Sequence, residues 1–109
     1  MSTIKSSREI DTVFRTASRV AHPLVIALVL QTPEGRDQTG RVAFVAGKKL
    51  GNAVMRNRCK RVLREAVRRA GGPWPCYDVA LIARPGLSTA SAHAVDRALE
   101  SVVKRAGLL

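Results

Sequence analysis

Residues 48–69 read KKLGNAVMRNRCKRVLREAVRR. They hold Lys48, Lys49, Arg56, Arg58, Lys60, Arg61, Arg64, Arg68 and Arg69 against a single acid, Glu65. Lysine and arginine side chains of this kind stay protonated at neutral pH, so they cannot abstract protons as general bases. What they can do is bind anions. A charge run is most often a solvated face, but one stabilised by its own pairs places Glu four residues before Lys or Arg. Only Glu65 does so, toward Arg69. The other cations repel one another unless something anionic neutralises them. The whole chain carries +11 at pH 7, which points the same way, to a polyanion.

The element that must position these charges is a helix from Ala53 onward. Met55, Cys59, Val62, Leu63, Ala66, Val67 and Ala70 recur at the spacing of one broad apolar stripe. At ~100° per residue, Asn57, Arg61, Arg64 and Arg68 then lie opposite the stripe. Arg56 and Lys60 flank it on one side; Arg58, Arg69 and Glu65 flank it on the other. Asn52 is the expected N-cap, and Gly71-Gly72-Pro73 the expected stop. The preceding loop, Gly47-Lys48-Lys49-Leu50-Gly51-Asn52, lacks the GxxxxGK[ST] order of a nucleotide-hydrolysing loop. A glycine-rich entry into a helix N-terminus still suits an RNA phosphate.

Around this helix the chain alternates. Ser6-Ser7-Arg8-Glu9 fits a capping box, and Ile10, Val13, Phe14 and Ala17 form a stripe, predicting a short helix over residues 7–17. Residues 23–30 form a near-continuous apolar run, predicting a buried strand. Residues 32–40 are turn-rich and predict a hairpin connection to a second strand over 41–46. Residues 77–83, YDVALIA, predict a third strand, closed by Arg84-Pro85-Gly86. Val95, Ala98, Leu99, Val102, Val103 and Ala106 mark a last helix stopped by Gly107. The expected order is αββαβα, an α+β fold in one domain over residues 1–109, with a parallel βαβ unit through the basic helix.

No protein active site is legible. His22 is expected in a loop and His93 on an exposed helix face, and no spacing suggests a metal. The acids Glu9, Asp11, Glu34, Asp37, Glu65, Asp78, Asp96 and Glu100 are scattered, whereas a protein-only metal nuclease needs convergent carboxylates. Cys59 reads as a small buried hydrophobe and Cys76 as a loop residue, with no basis for a disulfide. No apolar run approaches the ~20 residues of a spanning helix, and the first residues lack the apolar region of a signal peptide, so a cytoplasmic place is expected.

The run KKLGNAVMRNRCKRVLREA resembles the signature of the protein subunit of bacterial ribonuclease P. That family carries an Arg-Asn-Arg core, here Arg56-Asn57-Arg58, after a KK-x-G-x-A loop. More loosely, Val13-Phe14 and the IARPG segment resemble its first helix and the segment after its third strand. The resemblance implies a fold like the second domain of ribosomal protein S5, with a left-handed crossover against the usual right-handed preference. It implies a protein that assists a catalytic, magnesium-dependent RNA subunit in removing the 5′ leader of precursor tRNA.

Carried onto this chain, the resemblance implies that RNA is bound by Lys48, Lys49, Asn52, Arg56, Asn57, Arg58, Lys60, Arg61, Arg64 and Arg68. It places the leader in a groove at Ile10, Phe14 and Leu28. Family members often line that groove with aromatics; here only Phe14 offers a ring. Stacking is worth ~1–3 kcal/mol per base, so leader contact should lean on apolar packing and charge. The alternative class is a ribosomal or general RNA-binding protein using the same helix. A helix-turn-helix DNA binder is disfavoured because a strand and loop, not a short helix, precede the basic helix. An RRM is disfavoured because the strands lack its aromatics.

Overall fold

The segment YDVALIA is apolar on both of its faces, so it needs neighbours on both edges and cover on both sides. The fold supplies them. The computed structural model describes residues 18–32 and 39–108, which form four strands and two α-helices in a mixed sheet. The strands are β1 (Ser18–Ala21), β2 (Val25–Gln31), β3 (Arg41–Val45) and β4 (Tyr77–Ala83). The helices are α1 (Ala53–Arg69) and α2 (Ala92–Arg105), with 3₁₀ turns at Lys48–Leu50 and Pro85–Thr89. The strand order is β1-β2-β4-β3. β4 pairs antiparallel with β2 (Leu28 opposite Ala80) and parallel with β3 (Ala43 opposite Ala80). The parallel βαβ unit through the basic helix is therefore present.

Two expectations need correcting. The link between the second and third strands is not a hairpin connection, because β4 lies between β2 and β3. The described ends of this passage instead lie at the start of β4, where the Thr32 amide donates to the Cys76 carbonyl at 2.9 Å. Gly40 closes the passage. It has φ +85°, and a Cβ there would collide with the Trp74 carbonyl. The buried Asp78 carboxylate fixes the same corner, accepting from Arg41 Nη2 at 3.0 Å and from the Thr32 hydroxyl at 3.4 Å. The second correction is β1, a strand absent from the predicted order. It is four residues long and mostly exposed, so it shows no apolar alternation. It is an edge strand held by β2 and by Arg105, whose Nη2 donates to the Ala21 carbonyl at 2.7 Å. The helix expected over residues 7–17, with Ile10 and Phe14, lies outside the described residues.

Both helices pack on one face of the sheet. Val25, Ala27, Val29, Val42, Val79 and Leu81 meet Cys59, Leu63, Ala66 and Val67 of α1 and Val95, Leu99 and Val102 of α2. Large aliphatic side chains buried this fully stabilise the fold by ~1.5–3 kcal/mol each. The other face carries a second apolar set: Leu28, Ala43 and Ala80, flanked by Ile26, Leu30 and Ile82.

Candidate nucleic-acid interface

The predicted cap and stripe set the orientation of α1. Asn52 Oδ1 accepts the Met55 amide at 3.0 Å, and the helix runs to Arg69. Cys59, Leu63, Ala66 and Val67 are buried, while Asn57, Arg61, Arg64 and Arg68 are exposed along the opposite side. The helix therefore presents a cationic ridge because its apolar stripe is fixed to the sheet. Before it, the Lys48–Leu50 turn buries Leu50, which leaves Lys48 and Lys49 outward. Gly51 joins turn to helix at φ +112° and ψ −150°, a conformation open to glycine and strained for other residues.

The flanks of the ridge differ. On the β3 side, Ala46, Ala53, Arg56, Asn57 and Lys60 line a recess of about 240 Å³. Arg56 Nε is buried there without a hydrogen-bond partner among the described residues. A buried N–H left unpaired is costly, and a phosphate oxygen would satisfy it. Farther along, the Arg64 guanidinium carbon stands 5.3 Å from the centre of the Phe44 ring. On the α2 side, Arg69 pairs not with Glu65, as the spacing suggested, but with Asp96, which accepts from Nη2 at 2.8 Å and from Nε at 3.1 Å. Hydrogen bonding to Asp96 raises the Arg69 pKa, and the Asp96 carboxylate is its counter-charge. Burial pushes the Cys59 thiol pKa up, against the opposing charge of Arg58.

A second cationic feature adjoins the first. A groove of about 730 Å³ runs over the sheet face away from the helices. Ile26 and Ile82, opposite each other on β2 and β4, form its apolar floor. Arg19, Lys48, Lys49 and Arg84 form its rim. Leu28 follows Ile26 on this same face, is buried, and pairs in register with Arg19. Lys48 and Lys49 thus belong both to the groove and to the entry of α1.

Arg19 and Ile26 were not singled out from sequence, and Ile82 and Arg84 entered only within the IARPG segment, without a binding role. The alternation Ile26-Leu28-Leu30 was a usable signal for a second apolar face, hidden because the whole run is apolar. Arg19 has no such signal, since its place depends on the β1–β2 pairing. His22 accepts the Leu24 amide on Nδ1 at 3.1 Å within its loop, and His93 is exposed on α2. Among the described residues no group of three or more His, Cys, Asp or Glu side chains is placed to hold a metal. No described helix is long and apolar enough to cross a membrane.

A sequence profile of the family described as Ribonuclease P matches residues 1–107. The ribonuclease P protein component of Brevibacillus brevis is 38% identical over 111 residues, covering 97% of this chain and 83% of the relative. That of Symbiobacterium thermophilum is 37% identical over 110 residues, covering 97% and 91%. Among solved structures, the RNase P protein of Staphylococcus aureus superposes with a TM-score of 0.86 at 26% identity, covering 99% of this chain and 97% of that one. The RNase P protein of Thermotoga maritima gives 0.81 at 26% identity, covering 96% and 97%.

Proposed function

The chain belongs to the ribonuclease P protein family, and from that premise we propose how its surface divides the work of the ribonucleoprotein. The α1 ridge, with Asn52, Arg56, Asn57, Arg58, Lys60, Arg61, Arg64 and Arg68, binds the RNA subunit. The groove over Ile26, Leu28 and Ile82 takes the 5′ leader of precursor tRNA; Ile10 and Phe14, which the family resemblance adds to it, lie outside the described residues. The supporting observation is the shared loop: Lys48 and Lys49 line the groove and lead directly into Asn52 and α1. Among the described residues, a strand leaving the RNA surface meets the groove without crossing an acidic side chain of either lining.

Catalysis belongs to the RNA subunit in this reading, in the cytoplasm, with magnesium held there. The described carboxylates do not fit a protein-held magnesium site, because no three metal-ligating side chains converge among them and the charge of each paired acid is already met. Asp78 accepts from Arg41, Asp96 from Arg69, and Glu100 lies 2.8 Å from Lys104. The contribution of this chain is to hold two polyanions together and to hold the leader.

The division is testable in the assembled ribonucleoprotein. Arg19→Ala and Arg84→Ala should reduce its preference for precursor over mature tRNA, read by equilibrium binding of the two. Arg61→Ala should instead weaken assembly with the RNA subunit. Groove variants that leave the precursor preference intact would move the leader elsewhere.

A further inference from the structure

β3 is an edge of the sheet, with β4 on one side only. Phe44 alternates with Val42 along it and points to the helix face, where it is half-buried against the core. Its ring lies beneath Arg64, 5.3 Å from the guanidinium carbon, while Arg64 itself is exposed on the α1 ridge. Lys60 and Arg68 lie one turn to either side, and no acid pairs with Arg64 among the described residues. Arg69, by contrast, is tied to Asp96. Arg64 is thus a cation that faces a ring rather than a counter-charge.

We propose that Phe44 and Arg64 form a stacking platform for one unpaired nucleobase of the RNA bound on α1. The inference rests on the RNA-binding reading of that helix and adds to it a contact with a base instead of a phosphate. A guanidinium is flat and weakly hydrated, and one seated on an aromatic ring keeps its other face available. Its in-plane N–H groups stay free for a neighbouring phosphate or base edge. The ring fixes the plane in advance, so less side-chain freedom is lost on binding. Phosphate contacts depend steeply on salt and not on the base; stacking depends on the base and hardly on salt. The platform therefore gives an otherwise uniform ridge one position that distinguishes a stacked base from bare backbone.

The experiment compares binding of the full chain to an oligoadenylate and to an abasic strand of equal length, across a salt series. The wild type should bind the oligoadenylate more tightly, on the order of tenfold, at every salt concentration. Arg64→Lys keeps the charge but loses the plane; Phe44→Leu keeps an apolar side chain but loses the ring. Each should collapse most of the difference between the two strands while leaving the salt slope alone. The double variant should lose little beyond either single one, because the pair acts as a unit. If the ring is only packing, Phe44→Leu will lower the melting temperature and both variants will keep the strand difference, which overturns the proposal. Arg64→Lys alters an exposed side chain, so it remains decisive should Phe44→Leu fold poorly. Equal wild-type affinity for both strands defeats the platform alone, whereas binding to neither strand defeats the RNA reading of α1 as well.

Discussion

Cys59 and Cys76 carry the same thiol into opposite surroundings. Cys59 lies on the buried face of α1 at 1% exposure, and burial raises its pKa; Cys76 is exposed in the turn before β4. At neutral pH, iodoacetamide followed by mass measurement should therefore find one adduct, at Cys76, and a second at Cys59 only after denaturation. The raised value also fixes the sign of a pH effect. The folded protein holds the Cys59 proton more tightly than the unfolded chain does, so this group's contribution is fully present below the ordinary thiol range. It is lost as pH climbs through the raised value. Rapid labelling of Cys59 in the native protein would show that the stripe is not sealed. The burial of Cys59 was readable from its place in the stripe. The partners of the ridge cations were not: Arg64 meets Phe44 and Arg69 meets Asp96, both far away in sequence, and only the seating of α1 brings them together.

At the scale of the element, α1 separates a buried apolar face from an exposed cationic one. Leu63 and Val67 are fully buried, and Arg61 and Arg68 are exposed with no paired acid among the described residues. Truncating Leu63 to Ala should cost ~2–5 kcal/mol of stability, and Val67 somewhat less. Arg61→Ala and Arg68→Ala should move the melting transition little, since surface changes usually stay within about ±0.5 kcal/mol. Their effect should appear in binding. If about five phosphates are neutralised, log affinity falls against log salt with a slope of roughly −3 to −5, and each arginine removed should flatten it by about one. A near-zero slope would remove the electrostatic basis of the ridge. This element was the most legible part of the chain because a helix declares itself by local periodicity and by its cap. The sheet was less so. Neighbours in a sheet need not be neighbours in sequence, and the doubly apolar β4 displaced the expected hairpin by inserting between β2 and β3. β1 escaped notice because four mostly exposed residues carry no pattern.

At the scale of the whole molecule, charge among the described residues is sorted by side. Asp96 and Glu100 sit at the α1–α2 seam with Arg69 and Lys104, while the groove and the recess beside the ridge are lined by no acid. A surface of this kind lowers the repulsion between two polyanions that must lie close together, under the proposed function the RNA subunit and precursor tRNA. Divalent cations do the same by screening, so protein and magnesium should substitute for each other in part. Among the described residues the ridge arginines stay protonated, Asp78, Asp96 and Glu100 are each engaged by a cation, and Glu65 joins no cluster of metal-ligating side chains. The expected outcome has three parts. The purified chain, free of RNA, leaves precursor tRNA uncut with magnesium present. The cognate RNA alone cuts slowly and needs high magnesium and salt. Adding the chain restores cleavage at low magnesium, and a ridge variant such as Arg61→Ala shifts the magnesium requirement back upward. A gel assay of the 5′ end across a magnesium titration reads all three. Site-specific cleavage by the RNA-free protein would place the chemistry on this chain. A magnesium requirement unmoved by the protein would leave leader binding, not charge neutralisation, as its contribution.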